Sequence, residues 1–355
     1  MKVLFVDHPA PDFLSGVLFK GLCEQLGPES VVDYPWKALY HGRKYESDGV
    51  VHAPFPWSAG ESASGLHQAW GEEDVVGSVR HFDLVVLMSP RQKSVDALQR
   101  IIDCVGRQAI RNLAFVDGED YTAIRWDVIE RFRPDVSFKL SMVPEPFEIY
   151  HDEKARVSSW ARVVAFPLAC PTGEMPRVEK DIDVAFIGGN HWRPARMRRE
   201  GVPWAGLPEA EYKRMLSDRL AKEFPSFVGS VKEAPVAHVE FMSLLNRSRV
   251  AVSVGGFGIE PLRTYEILSC PETMLMREKI PVLSPWPLVE DEHCMMFDTV
   301  GGFDHDGIVR GIRRALDAVE ERLRIARSGN ALLREHYTPH SRAKQLLNEM
   351  GLVVA

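Results

Sequence analysis

The sequence predicts an α/β fold built from two parallel-sheet domains, and three observations lead to that prediction. Short apolar runs rich in β-branched residues recur along the chain, as expected for strands buried on both faces. Amphipathic stretches alternate with these runs, which implies parallel strands joined by helical crossovers. A proline-rich stretch at 167–180 separates two halves of similar size. We therefore predict an N-terminal domain at 1–172, a C-terminal domain at 173–337, and a final helix at 338–355 that packs back on the N-terminal domain.

Composition limits the classes of function. With 355 residues, the chain is long enough to bury a core in each of two domains. The net charge of -7 argues against a general nucleic-acid binder. The five cysteines lack metal or redox spacing, and no apolar run is long enough to cross a bilayer. Because the chain enters a strand directly, without a signal peptide, we expect a cytoplasmic protein with no transmembrane segment.

The first half of the chain shows the alternation most clearly. Strands are predicted at 2–7, 30–34, 83–88, 113–116, 136–140 and 163–166. Helices are predicted at about 16–26, at 94–106 and from Ile124 onward, with a loop at 8–15. The stretch 35–80 has weak periodicity, so we expect irregular structure with one or two short helices.

The second half repeats the pattern. Strands are predicted at 182–187, 227–229, 250–254, 280–283 and 295–298, and helices at 209–223, 239–246, from Leu262, and at 307–335 as one long helix or a pair. Thr338 followed by Pro339 is a good helix start, because threonine caps the helix and proline suits its first turn. The last helix is predicted to end near Met350.

The segment 249–270 is the most informative part of the second half. A buried strand leads into Gly255, Gly256 and Gly258, where the backbone can approach a ligand closely. Ligands of open α/β sheets bind at such carboxyl ends of strands. The helix that follows carries Glu266 in its first turns, where helix amides favour anions and a carboxylate can accept bonds from ribose hydroxyls. The alternative is a buried strand, a turn and a helix with a solvated glutamate, and the sequence leaves both open.

A second glycine loop follows the strand at 182–187. Gly188, Gly189 and Asn190 lead into a basic run that contains Arg193, Arg196, Arg198 and Arg199. Arginine suits a diphosphate because its planar guanidinium makes bidentate bonds to phosphate oxygens. A solvated basic face is the alternative reading of this run.

Four stretches resemble the GT-B glycosyltransferases, and among them the spore-maturation-protein (CgeB-like) group. Asp183–Gly188 resembles the strand and loop that open the nucleotide-binding domain, and Arg263–Cys270 resembles the element Arg-Thr-Phe-Glu-Ala-Leu-Ala-Cys. Ile280–Leu283 is similar to the strand that follows it, and His336–Thr338 with Arg342 is similar to the terminal motif. The resemblance covers roughly the C-terminal half. It implies two Rossmann-like domains facing a central cleft, with the last helix crossing back to the first domain.

The sequence departs from that pattern in three places. Pro271 follows Cys270 where the group has glycine, and residues 271–279 look like an insertion. The first glutamate of the superfamily's paired motif would fall at Gly258, with only Glu260 nearby. Because of these departures, we expect Glu266 to be the residue that contacts the ribose.

The function implied by the resemblance is metal-independent transfer of a sugar from a nucleotide-diphosphate sugar, such as a UDP-sugar, to a hydroxyl acceptor, with no cofactor. The implied donor-binding residues are Gly188, Gly189, Asn190, Arg196, Gly256, Gly258, Arg263, Thr264 and Glu266. Transfer needs a deprotonated acceptor hydroxyl, and the candidates for its base follow strands of the first half: His8, Asp12, Asp120 and Asp117. The acidic residues 117–120 also suit a turn and a helix cap.

Other functions remain open at this point. A nucleotide-sugar epimerase shares the fold, and a non-catalytic nucleotide-sugar-binding module would fit the missing first glutamate. Asp304-His305-Asp306 superficially matches a metal-binding Asp-x-Asp motif, but its surroundings predict a surface loop. Gly255-Gly256-Phe257-Gly258 lacks the spacing of a dehydrogenase fingerprint.

Overall fold

A computed structural model describes residues 1–47, 50–52, 69–120, 123–144, 157, 159–171, 175–189, 209–232, 237–255, 260–298 and 304–352. The chain divides into two compact units. The N-terminal unit comprises Met1–Met142, Glu148–Pro171 and Thr338–Ala355, and the C-terminal unit comprises Val143–Phe147 and Thr172–Tyr337. Each unit is built on a parallel sheet with helices, so the predicted α/β class is confirmed.

In the described residues, the sheet of the N-terminal unit is built from the strands β1 Val3–Val6, β2 Val31–Tyr34, β5 Leu84–Met88, β6 Leu113–Asp117, β7 Val136–Lys139 and β8 Val163–Ala165. These six parallel strands lie in the order β2-β1-β5-β6-β7-β8. A short antiparallel hairpin, β3 Tyr45–Ser47 and β4 Val50–His52, lies in the stretch predicted to be irregular. The central strand β1 is buried along its whole length, which explains its unbroken apolar sequence.

Helices of the N-terminal unit are α1 Phe13–Leu26, α2 Glu72–Ser78, α3 Gln92–Val105, α4 Trp126–Phe132 and, from the end of the chain, α10 Pro339–Glu349. Helix α1 begins three residues earlier than predicted, because the Asp12 side chain caps it by accepting a 2.9 Å bond from the amide of Ser15. Helix α10 packs against α1 at Gly21, where a β-carbon would lie 2.0 Å from the Pro339 carbonyl oxygen. The last helix therefore belongs to the N-terminal unit.

Among the described residues, the sheet of the C-terminal unit is built from the strands β9 Ile182–Gly189, β10 Phe227–Lys232, β11 Ser248–Ser253, β12 Met274–Glu278 and β13 Met295–Phe297. These five parallel strands lie in the order β10-β9-β11-β12-β13. Its helices are α5 Glu209–Glu223, α6 His238–Arg247, α7 Leu262–Leu268, α8 His305–Asp317 and α9 Val319–His336. The charged stretch at 307–335 is thus a pair of helices that break at Ala318.

The strand predicted at Ile280–Leu283 is wrong. The strand is β12, Met274–Glu278, inside the stretch that looked like an insertion, and it pairs with β11 and β13. Arg277 and Glu278 hid the strand pattern in the sequence, although both side chains are buried. Pro281 and Pro285 lie beyond it, and proline lacks the amide that a central strand must donate.

Two further features of the fold concern the end of strand β9 and the length and polarity of the helices. Strand β9 continues through Gly188 and Gly189, which pair with Val231 and Lys232 of β10, so this strand is two residues longer than predicted. In the described part of the chain, no helix is long and apolar enough to cross a membrane.

Candidate functional site

Each sheet reverses its strand order at one point, and such switch points are where open α/β sheets bind ligands. In the N-terminal unit the reversal lies between β1 and β5, and in the C-terminal unit between β9 and β11. Of the predicted polar residues that the structure describes, His8 and Asp12 follow β1 at the first of these points, Asp117 and Asp120 lie at the end of β6, and Arg263, Thr264 and Glu266 follow β11 at the second. The candidate site of the N-terminal unit is the first site, and that of the C-terminal unit is the second site.

His8 follows β1 and is the most unusual side chain of the first site. It is only 2% exposed. Its Nε2 lies 3.7 Å from Oδ1 of Asp7 and 3.8 Å from Oδ2 of Asp12, both too long for a hydrogen bond. Among the described residues, neither ring nitrogen of His8 has a hydrogen-bond partner. A buried polar group without a partner is costly, so this imidazole suits a role that supplies one.

A buried ion pair lies directly behind His8. Oδ2 of Asp7 accepts a 2.6 Å bond from Nζ of Lys37 and a short bond from the hydroxyl of Tyr40. Lys37 also donates to Oγ of Ser15 at 3.2 Å, and its ammonium lies 4.7 Å from the centre of the Tyr40 ring. Burial, followed by the charge of Asp7, raises the pKa of Tyr40 well above its ordinary value, so its hydroxyl keeps the proton it donates.

Sequence reasoning missed Asp7, Lys37 and Tyr40. Asp7 looked like the polar end of a strand, and Lys37 and Tyr40 lie in the stretch without periodicity. One signal was available: Lys37 is the single charge in the run Tyr-Pro-Trp-Lys-Ala-Leu-Tyr. A lysine among so many apolar residues is buried only when a carboxylate accompanies it.

Asp12 has two tasks in this site. Its Oδ1 caps α1, and its Oδ2 faces His8 and lies 4.0 Å from Nη2 of Arg91. Burial raises the pKa of Asp12, but His8, Lys37 and the Ser15 amide together outweigh burial and lower it. Asp12 is therefore a carboxylate near neutral pH.

The acidic residues after β6 have different environments. Asp117 lies 3.2 Å from the ammonium of Lys139 and accepts a bond from the Glu119 amide, so it is held within its own turn. Burial raises the pKa of Asp117, with Lys139 opposing the change. Burial and then the charge of Asp12 raise the pKa of Asp120 to about 6. Of these residues, Asp120 is the one poised to exchange a proton near neutral pH.

The second site begins where β9 and β11 end. Gly188 and Gly189 are the last residues of β9, and the amide of Gly255, just after β11, donates a 3.0 Å bond to Oε2 of the buried Glu278. This bond links the first glycine of the segment to β12. Four predicted donor-binding residues, Asn190, Arg196, Gly256 and Gly258, lie outside the described residues.

The predicted residues of α7 differ in what their side chains do. The Thr264 hydroxyl lies 3.0 Å from the hydroxyl of Ser253 and is buried, so it joins α7 to the end of β11. Arg263 is partly buried, and its Nε has no hydrogen-bond partner among the described residues. Burial lowers the pKa of Arg263, and the charge of Glu266 opposes that change. Arg263 thus carries a buried donor with unused capacity.

Glu266 lies in the second turn of α7 and is 7% exposed. Burial raises its pKa to about 7, with the charge of Arg263 acting in the opposite direction. His238, the first residue of α6, places Nδ1 3.6 Å from Oε1 of Glu266. Sequence reasoning missed His238, although a histidine that opens a helix after a strand loop was a usable signal.

The Asp304-His305-Asp306 stretch has a structural role. The Asp304 side chain caps α8 by accepting a 2.7 Å bond from the Gly307 amide, and it also pairs with Arg310. Asp306 pairs with Arg219 at 2.9 Å. The predicted surface loop is wrong from His305 onward, since α8 begins there.

Comparison with known proteins gives a family match for the second half of the chain. Residues 186–348 match the family described as "Glycosyl transferase-like". No curated protein sequence matches the chain significantly.

Three solved structures are similar over nearly the whole chain. Anabaena HepE in complex with UDP and glucose has 10% identity and a TM-score of 0.59, covering 99% of this chain and 100% of HepE. The α,α-trehalose-phosphate synthase (UDP-forming) from Burkholderia xenovorans in complex with glucose-6-phosphate has 12% identity and a TM-score of 0.54, covering 99% and 100%. Sucrose-phosphate synthase from Thermosynechococcus elongatus has 11% identity and a TM-score of 0.54, covering 98% and 97%. The chain has the GT-B fold. At such identities the likeness concerns the fold alone.

Within this GT-B fold, the predicted site residues fall into two groups. In the first site, His8, Asp12 and Asp120 are coupled through their charges, while Asp117 is paired with Lys139. In the second site, Glu266 and Arg263 interact with each other, while Thr264 bonds within the unit.

Proposed function

We propose that this protein is a glycosyltransferase that moves a sugar from a UDP-sugar to a hydroxyl acceptor. The observation that carries the proposal is Glu266, a buried carboxyl group on the short helix that follows a glycine segment at the switch point of the second sheet. The glycosyl transferase-like match spans this region, and the HepE structure with the same fold holds UDP. The resemblance of residues 263–270 to the spore-maturation group supports the same reading.

The donor is proposed to bind the C-terminal unit. Glu266 would accept bonds from the ribose hydroxyls, because a carboxylate is an acceptor for both. The unused Nε of Arg263 would donate to the diphosphate, together with the amides near Gly188 and Gly189. Arginine and amide donors would then stabilise the leaving diphosphate without an essential metal ion.

The acceptor is proposed to bind the N-terminal unit at His8. A neutral imidazole can take the proton of the attacking hydroxyl, and nearby carboxylates stabilise the imidazolium that forms. Since His8 is almost fully buried, acceptor binding must open the space that covers it. The charges of Asp12 and Asp120 would set the electrostatic potential around His8.

The test combines binding with turnover. Glu266→Ala is expected to weaken UDP binding by about 1.5–3 kcal/mol, the usual value for a hydrogen bond to a charged group. Isothermal titration with UDP measures this, and Glu240→Ala, an exposed carboxylate on α6, is the matched control. Unchanged UDP affinity in a folded Glu266→Ala variant would refute the donor site.

Turnover separates this proposal from its two rivals. A transferase releases UDP from UDP-sugar faster when a hydroxyl acceptor is added, and it keeps this activity in a chelator. A nucleotide-sugar epimerase changes the sugar without any acceptor. A binding module, which the glycine at position 258 would suit, binds UDP and turns over nothing.

A further inference from the structure

Around His8, three buried polar atoms lack a hydrogen-bond partner within the described residues. They are Oδ1 of Asp7 and both ring nitrogens of His8. The other oxygen of Asp7 is fully engaged by Lys37 and Tyr40. Native interiors rarely leave such atoms unpaired, so this cluster indicates a site whose contacts change when a ligand binds.

The two nitrogens of His8 have unequal surroundings. Nε2 faces two carboxylate oxygens, from Asp7 at 3.7 Å and from Asp12 at 3.8 Å. Two negative oxygens attract an N–H and repel a lone pair, so they favour the tautomer with its proton on Nε2. Catalytic hydrogen bonds are often long before substrate binds and shorten in the complex.

We propose that Asp7 is a positioning residue that, with Asp12, holds a proton on Nε2 of His8 and leaves Nδ1 as the basic atom. This inference rests on the proposed function, because it assigns the atom of His8 that receives the acceptor's proton. Asp7 itself does not touch the substrate; it acts through the imidazole.

Lys37 and Tyr40 fix the direction in which Asp7 points. Both donate to Oδ2, so the carboxylate cannot rotate without breaking two buried bonds. Its Oδ1 is thereby left facing His8. The contrasting pair in the same unit is Asp33 and His41, which lie 3.0 Å apart and form a closed hydrogen bond. That pair holds structure, whereas the longer Asp7–His8 contact is still able to tighten.

The acceptor hydroxyl loses its proton to Nδ1 of His8, and its oxygen forms the new bond to the anomeric carbon of the sugar. The bond from that carbon to the diphosphate breaks, and its electron pair leaves on the phosphate oxygen. The imidazolium then has Nε2–H directed at Asp7 and Asp12, which stabilise its charge.

Asp7→Asn tests the inference directly. The amide oxygen of the new side chain stays with the two donors, Lys37 and Tyr40, so its NH₂ group must face Nε2. A donor in that position forces Nε2 to accept and moves the proton to Nδ1. Nitrogen NMR of ¹⁵N-histidine-labelled protein distinguishes the two tautomers, and it does so without any catalytic activity.

The expected result is Nε2–H in the wild-type protein and Nδ1–H in Asp7→Asn. Asp33→Asn is the matched control, since it alters a buried carboxylate that accepts from the Lys37 amide at 2.7 Å but faces His41 rather than His8. It should leave the tautomer of His8 unchanged. Unaltered His41 signals in Asp7→Asn report that the variant is folded. A wild-type His8 with its proton on Nδ1, or no change of tautomer in Asp7→Asn, overturns the inference.

Kinetic measurements on the same variants test whether the tautomer of His8 affects sugar transfer. Asp7→Asn should lower kcat by about 100- to 10,000-fold, the range for loss of a base, with UDP affinity unchanged. Tyr40→Phe removes one of the two donors and adds nothing, so it should cost less than Asp7→Asn and keep the Nε2–H tautomer. A tautomer reversed in Asp7→Asn with full turnover retained would overturn the role in positioning. If the wild-type protein transfers no sugar at all, the proposed function is refuted instead. The tautomer measured by NMR would still hold, because that measurement needs no activity.

Discussion

The two candidate sites occupy equivalent topological positions, yet their buried carboxyl groups differ in how closely a cation pairs with them. In the N-terminal unit, Asp7 has Lys37 and Asp117 has Lys139, each cation within 3.2 Å. In the C-terminal unit, the described partners of Glu266 are a histidine at 3.6 Å and the charge of Arg263, and burial raises its pKa to about 7. Paired carboxylates hold a fixed geometry, whereas a poorly paired one is ready to gain a partner. We infer that the first site is arranged for positioning and the second for binding.

The largest expected effect is on turnover at the first site. His8→Gln should lower kcat by about 100- to 10,000-fold, because it removes the proposed base. UDP affinity should stay the same, since the base acts only in the chemical step. Steady-state kinetics and UDP titration measure the two quantities, with the exposed His81→Gln as control. Equal losses of kcat in His8→Gln and His81→Gln, or no loss in either variant, would contradict the assignment of the base to the first site.

The next effect is a pH dependence at Glu266. Its pKa in the folded protein is about 7, above its ordinary value of 4.5, so the folded state binds more protons between these two values. The free energy of unfolding therefore falls as the pH rises from about 4.5 to about 7, and Glu266 lowers it no further above about pH 7. Glu266→Gln removes the charge. It should stabilise the unliganded protein by about 3 kcal/mol at pH 8 and by little at pH 4.

Chemical denaturation at the two pH values measures this difference. In the wild-type protein UDP affinity should rise through about pH 7, as the carboxylate needed for the ribose hydroxyls forms. A stability difference independent of pH would show that Glu266 already has a strong partner, as Asp7 and Asp117 do.

The smallest expected effect concerns the phosphates. Arg263→Met should weaken UDP binding by about 10- to 100-fold, the loss of one charge-assisted hydrogen bond, and leave uridine binding nearly unchanged. Arg249→Met is the control, because Arg249 pairs with Asp183 away from α7. Titration with both ligands decides the outcome. Equal losses for UDP and uridine would assign Arg263 to packing and leave the diphosphate to other donors.

How far the sequence could be read depends on the kind of signal. Most strands and helices were predictable because their burial pattern is local, as in Glu209–Glu223, whose bounds were predicted without error. Strand β12 was not, because Arg277 and Glu278 are buried charges, and a sequence pattern treats a charge as exposed. The same limit hid Lys37, which no nearby residue in sequence reveals as a partner of Asp7.

The sequence by itself determined the α/β class, the placement of Glu266 after a glycine segment and the placement of His8 after the first strand, since these follow from periodicity and chain order. Only the tertiary structure decided which of these residues have partners. Asp7 and Lys37 are 30 residues apart in the chain, and they meet because β1 pairs with β2 and the chain returns beside α1. Whether a buried charge is neutralised depends on such distant contacts, and no local pattern encodes them.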